Sequence, residues 1–221
     1  QIAEARLQRA RIRFDKGDHK TALIGFSELL GTPLSDQASY WAGKCKLRLD
    51  DPAGAAKLLA SAAEASPKSA LLPEIRFDQA VALHRGGEVD DAARTLEQFR
   101  GEFPNHRLDA EALRMLAAIE HQRKDYAKSA ELCATFAKMH SGDEGLAEVR
   151  FLAAENALLA GETERAVAAY WEFLNAYPSD PQSGKAMFRL GLTLHSLERS
   201  EEALPYLNEV AALAGGDKTY C

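Results

Sequence analysis

Three histidines share one spacing: His121 lies 37 residues after His84, and His195 lies 74 residues, twice that interval, after His121. Imidazoles in such a series suggest zinc, whose ligands must converge at about 2.0–2.1 Å on one point. If the series marks separate helices, neighbouring axes stand about 8–10 Å apart, and His195 is two intervals further on. No local metal motif accompanies the three, so no metal is assigned, and pH-dependent partner binding is the better use of side chains that change charge between about pH 5 and 8. Cys45, Cys133 and Cys221 have neither a metal-ligand spacing nor the even number of a disulfide framework. Cys133 falls among core positions and reads as a small buried apolar group. The acidic pairs Asp90-Asp91 and Glu201-Glu202 sit where helices begin, favourable to the helix dipole, and read as solvated faces. Gly86-Gly87 and Gly215-Gly216 sit where helices end, as caps. No phosphate loop, nucleophile elbow or metalloprotease helix is present, so no catalytic residue and no cofactor is assigned, and the chain reads as a non-enzyme.

Composition narrows the class. The 221 residues are 46% hydrophobic and 27% charged, with only 8 prolines, which suits a helical globular chain. The net charge is −6 and the 27 basic residues are dispersed, the opposite of the clustered basic footprint that nucleic acid requires. No apolar run approaches the roughly 18 residues of a membrane span.

The elements that position these groups emerge from internal repetition. A Gly-acidic turn followed by an alanine recurs as Gly17-Asp18…Ala22, Gly87-Glu88…Ala92 and Gly161-Glu162…Ala166. Weaker copies at Asp51…Ala56, Lys124-Asp125-Tyr126…Ser129 and Glu198…Ala203 bring the anchors to 22, 56, 92, 129, 166 and 203, at intervals of 34, 36, 37, 37 and 37. Twelve residues before each anchor stand Ala10, Lys44, Ala80, Ala117, Ala154 and Gly191, small in five of six cases, as close helix packing requires. Apolar residues at +4 and +7 complete a helical stripe. Pro33, Pro67, Pro104 and Pro178 close four of the units. The pattern predicts six helical hairpins, 2–16 with 19–31, 35–49 with 52–65, 71–86 with 88–103, 107–123 with 125–140, 144–160 with 162–177 and 182–197 with 199–213. They form one all-α array, 1–221, with repeats near 2–34, 35–68, 69–106, 107–142, 143–180 and 181–216. The second repeat departs most, with Lys44 in the small-residue column.

The residues Arg189-Leu190-Gly191, Gly161-Glu162…Ala166…Tyr170 and Ala169-Tyr170-Trp171-Glu172-Phe173…Tyr177-Pro178 resemble the tetratricopeptide repeat family over nearly the whole chain. The 36–37-residue spacing with Phe103-Pro104 and Tyr177-Pro178 is similar to a longer-turn subgroup common in bacterial envelope proteins, such as the outer-membrane assembly lipoprotein and the periplasmic partner of the Tol-Pal system. The resemblance implies a right-handed α-solenoid whose first helices line a concave groove for a protein or peptide partner, and it implies a bacterial periplasmic or envelope location.

Fifteen residues before the anchors stand Leu7, Trp41, Phe77, Arg114, Phe151 and Phe188, and eight before stand Phe14, Arg48, His84, His121, Leu158 and His195. The two columns share a helix face within about 20°. Trp41, Arg48, Phe77, His84, Arg114, His121, Phe151, Phe188 and His195 are therefore the expected partner-binding residues. Aromatic and arginine side chains dominate interface hot spots, although the same ladder also serves packing between first helices. Arg114 is favoured as a lone cation in an aromatic column, and Trp41 with it. The lysine and asparagine clamp by which some members of the family hold a C-terminal carboxylate is missing, with Leu7/Arg11, Trp41/Cys45 and Phe77/Val81 in its place. The expected function is a scaffold that binds a peptide or helix. The alternatives are self-assembly through end repeats and the regulatory array of a larger enzyme. Lys218-Thr219-Tyr220-Cys221 reads as the opening of a seventh first helix, so the natural protein is expected to continue past it.

Overall fold

The computed structural model describes residues 1–214; the expected seventh helix at 218–221 lies outside them. All regular structure among the described residues is helical, as twelve helices in consecutive pairs. The first helices are α1 (Ile2–Asp15), α3 (Ser35–Arg48), α5 (Leu72–Arg85), α7 (Asp109–Gln122), α9 (Leu146–Leu159) and α11 (Ser183–Ser196), each of 14 residues. Their partners are α2 (His19–Ser27), α4 (Pro52–Ala65), α6 (Val89–Glu102), α8 (Tyr126–Met139), α10 (Thr163–Ala176) and α12 (Ser200–Ala214).

The turn inside each pair explains the Gly-acidic signature. Gly17, Asp50, Gly87, Lys124, Gly161 and Glu198 occupy the same place, and all have φ between 59° and 84°. The next residue's N–H reaches back to a carbonyl of the first helix, as Asp18 to Arg13, Glu88 to Leu83 and Glu162 to Ala157, closing the helix in a Schellman turn. Asp18, Asp51 and Asp125 then cap the second helix by accepting from the backbone N–H of Thr21, Gly54 and Lys128. A Cβ at Gly17, Gly87 or Gly161 would meet nothing within 4 Å, so the preference for glycine there is torsional alone. Gly161→Ala is expected to cost about 1 kcal/mol, and Lys124→Gly to gain about 0.5 kcal/mol. Urea denaturation of the two variants checks both signs.

The chain forms two compact units, residues 1–112 and the residues from Leu113 on. In the first, successive helices α1 to α6 pack each on the next. Its core joins Leu7, Ala10, Ala22, Phe26, Leu29 and Ala42, and a second cluster joins Leu59, Ala62, Ala63 and Ile75. In the second unit the α8–α9, α9–α10, α10–α11 and α11–α12 pairs enclose Phe151, Ala154, Ala166, Tyr170, Phe173 and Leu190.

Helix phase corrects the second repeat by one residue. The fourth residue of the six second helices is Ala22, Ala55, Ala92, Ser129, Ala166 and Ala203, each at most 1% exposed. The anchor is therefore Ala55 and not Ala56, and the intervals become 33, 37, 37, 37 and 37. The ninth residue of the six first helices is Ala10, Gly43, Ala80, Ala117, Ala154 and Gly191, so the small-residue column has no exception. A Cβ on Gly43 would lie 2.7 Å from Cγ and Cδ2 of Leu59, the same fit that Gly191 makes with Leu207. The short first interval is a four-residue loss at the end of the first repeat's second helix. α2 ends at Ser27 where residues to 31 were expected to be helical, and the chain turns through Gly31 at φ 81°.

Candidate functional site: the wall of first helices

The phase correction changes the wall. The sixth residues of the first helices are Leu7, Tyr40, Phe77, Arg114, Phe151 and Phe188, and the thirteenth are Phe14, Leu47, His84, His121, Leu158 and His195. Trp41 and Arg48 each stand one position beyond the column expected for them. Trp41 points back at the first repeat, where its ring meets Phe14 at 5.2 Å, Phe26 at 6.2 Å and the Arg11 guanidinium at 4.9 Å. It fills the joint between two repeats and is only half-exposed, whereas Arg48 is exposed.

The aromatic members differ in the same way. Phe77 and Phe151 are each 5% exposed and belong to the core, Phe77 on Phe99 and Phe151 on Tyr170 and Phe173. Lys185 of the following first helix lies over the Phe151 ring at 4.9 Å. Phe188 is 44% exposed, and Leu192, one turn on, is 43% exposed. The expectation of an open aromatic ladder thus resolves into packed rings with one open position: Phe77 and Phe151 pack on rings of their own second helices, and Lys185 also covers Phe151.

Arg114 is not a lone cation: its guanidinium pairs with Glu148, the third residue of α9, at 3.3 Å. Other links join first helices about one repeat apart. In the first unit Lys44 meets Asp78 at 3.3 Å, and Arg85 reaches the Leu47 carbonyl at 3.1 Å. Burial works against the Lys44 charge, but Asp78 and the Tyr40 hydroxyl outweigh it and raise its pKa. Burial also raises Asp78, which Lys44 only partly offsets. In the second unit Glu155, 7% exposed, accepts the Tyr170 hydroxyl and faces Lys185 and Arg189, each at 3.3 Å. Glu155 and Lys44 are tenth residues of their helices, and Arg189 and Asp78 are seventh residues of the next, so the two links are equivalent with their charges reversed.

His121 is held most firmly. The buried Ser129 hydroxyl donates to the Ala117 carbonyl and accepts from the Asn156 amide, both at 2.7 Å. Asn156 then turns its carbonyl oxygen to His121 Nδ1 at 2.7 Å, so Nδ1 carries the proton and Nε2 is left as an acceptor in the neutral ring. Tyr126 packs edge-on at 5.7 Å. His195 is exposed, with Nδ1 3.0 Å from the Ser200 hydroxyl, and His84 is half-exposed. No group of three His, Cys, Asp or Glu residues among the described ones is placed to hold a metal.

Burial pushes the Cys45 and Cys133 thiols up to about 12. At pH 8 only about one in ten thousand is then a thiolate, the reactive form. Iodoacetamide at pH 8 is expected to leave both unmodified in the native protein and to label them in urea. Peptide mass mapping reads each cysteine separately, and labelling of Cys133 without denaturant would contradict its burial.

Comparison with known proteins agrees with this architecture. A family model described as "Tetratricopeptide repeat" matches residues 1–70, 76–144 and 151–218. A tetratricopeptide repeat protein from Parabacteroides merdae superposes with a TM-score of 0.73 at 16% identity, over 95% of this chain and 79% of that one. MamA from Desulfovibrio magneticus, from residue 41 to its end, gives 0.69 at 17% identity, over 83% and 97%. At these identities the likeness is one of fold. No curated protein matches the sequence.

Proposed function

We propose that this chain, which belongs to the tetratricopeptide repeat family, is a non-catalytic scaffold that seats a peptide or helix of a partner protein along its first helices. The observation that carries the reading is the pre-organisation of half-exposed groups on that wall: His121 is fixed by Asn156 and Ser129, and Arg114 by Glu148. Side chains already held in one geometry lose little entropy on binding, which favours affinity. The proposed contacts are Arg114, His121, Phe188 and His195, all in the second unit. Phe151 belongs to the core of that unit and Trp41 and Phe77 to the packing of the first.

Replacing Arg114 and His121 together with alanine is expected to remove a subset of partners captured by chemical cross-linking, while the far-ultraviolet dichroism stays that of a folded helical protein. Unchanged capture of every partner overturns the groove reading. A bacterial envelope setting is part of the proposal, supported by the 37-residue period and the Phe103-Pro104 and Tyr177-Pro178 ends. Fractionation of the source cells tests it, and recovery of the protein with the cytosol alone overturns it.

A further inference from the structure

A second surface lies on the other side of α11. The eighth and twelfth residues of that helix, Leu190 and Leu194, project nearly opposite Phe188, Leu192 and His195. They floor a groove of about 700 Å³ between α10 and α12. Trp171, Pro205 and Tyr206 line it as well. Trp171 is 55% exposed, unusual for so large an apolar ring and an obvious anchor for a partner. The neighbouring groove between α8 and α10 is lined by Ala130, Ala134, Ala153 and Ala157, so the large exposed ring belongs to this groove.

Charge selects the occupant. The lining includes Glu164, Glu172 and Glu202 against one cation, Arg199. The Arg199 guanidinium is already engaged, with Nε and Nη2 each 2.8 Å from Glu202 and Nη1 3.1 Å from Glu164. Three carboxylates against one guanidinium leave two negative charges around an apolar floor, on a chain whose net charge is −6. Such a rim repels nucleic acid and anionic lipid headgroups and attracts lysine and arginine. An indole face beside carboxylates adds a cation–π platform for the same groups.

We propose that the α10–α12 groove docks a basic amphipathic segment of a partner protein, with its apolar side chains on Trp171, Val167 and Pro205 and its cations toward Glu164 and Glu172. This site is separate from the first-helix wall, so the chain holds two partner segments at once.

The test uses a short helical peptide made only of leucine and lysine with leucine at helical spacing, beside the same peptide with glutamate in place of lysine. Two-dimensional ¹⁵N–¹H NMR follows the indole N–H signals, with that of Trp171 identified by its loss in Trp171→Ala. The lysine peptide is expected to shift the Trp171 signal saturably and leave that of Trp41 in place. Its affinity is expected to fall at least about tenfold in Trp171→Ala and in Glu164→Gln/Glu172→Gln, whose exposed sites leave the fold intact. A Trp171 signal that does not move, or moves equally with the glutamate peptide, overturns the proposal. So does an affinity unchanged in Trp171→Ala. A shift confined to Trp41 counts for the wall of first helices and against this groove.

Discussion

Gly43→Val is expected to lower the stability of the first unit by about 3 kcal/mol, at the upper end of the usual range for overpacking a core. Even a single added carbon at Gly43 falls 2.7 Å from two atoms of Leu59, whose side chain is fully buried, and valine adds two more. Leu59 has little room to give way, because it is packed in a buried cluster with Ala62, Ala63 and Ile75. Leu59→Ala alone costs about 2–5 kcal/mol as a cavity. In that cavity the valine is accommodated, so the double variant is expected to lie well above the sum of the two losses. A double-mutant cycle by urea unfolding reads the coupling directly. A cycle that adds without coupling would place Gly43 away from Leu59 and restore Lys44 to the small-residue column.

The second large effect concerns Ser129. Alanine occupies the equivalent position of the other five second helices, so Ser129→Ala looks like a return to the common pattern. It is nevertheless expected to destabilise the second unit by about 1–3 kcal/mol, because it leaves the Ala117 carbonyl and the Asn156 amide without their partner at a site with no solvent exposure. Asn156→Leu is expected to cost about 2–3 kcal/mol by the same reasoning, since it removes partners from both Ser129 and His121. Replacing both residues at once removes the buried donor together with its acceptor, and the pair is expected to cost little more than Asn156→Leu alone. The Nδ1 and Nε2 shifts of His121 in ¹⁵N NMR report the tautomer: the proton is expected on Nδ1 in the native protein and divided between the two nitrogens in Asn156→Leu.

The hairpins were legible in the sequence because their signals are redundant. Left-handed turns ask for glycine, caps ask for aspartate, and close helix contacts ask for alanine, all at fixed offsets. The phase of the second repeat was not, because alanine stands at both 55 and 56 and leucine at both 58 and 59, so composition cannot choose between them. The cap could have chosen: Asp18 and Asp125 stand four residues before their anchors, and Asp51 stands four before Ala55. The ladder misled for a different reason. A side chain's exposure on one first helix depends on what the next one lays over it, as Lys185 does to Phe151, and that partner lies 34 residues away. A column of acids at the third position of the first helices, Glu4, Glu74, Glu111 and Glu148, was present in the sequence and would have forewarned that Arg114 is paired.

The reversed links make two of the joints between repeats selective for their neighbour. Lys44 expects an acid one repeat later and finds Asp78, whereas Glu155 expects a base and finds Arg189. Were the third repeat transplanted to follow the fifth, Glu155 would meet Asp78, two carboxylates at a largely buried joint, and the seam would open. Repeats of one length and one hydrophobic pattern would otherwise be interchangeable, and duplication or recombination could shuffle them at no cost to the core. At these two joints, charge separates the right neighbour from a wrong one.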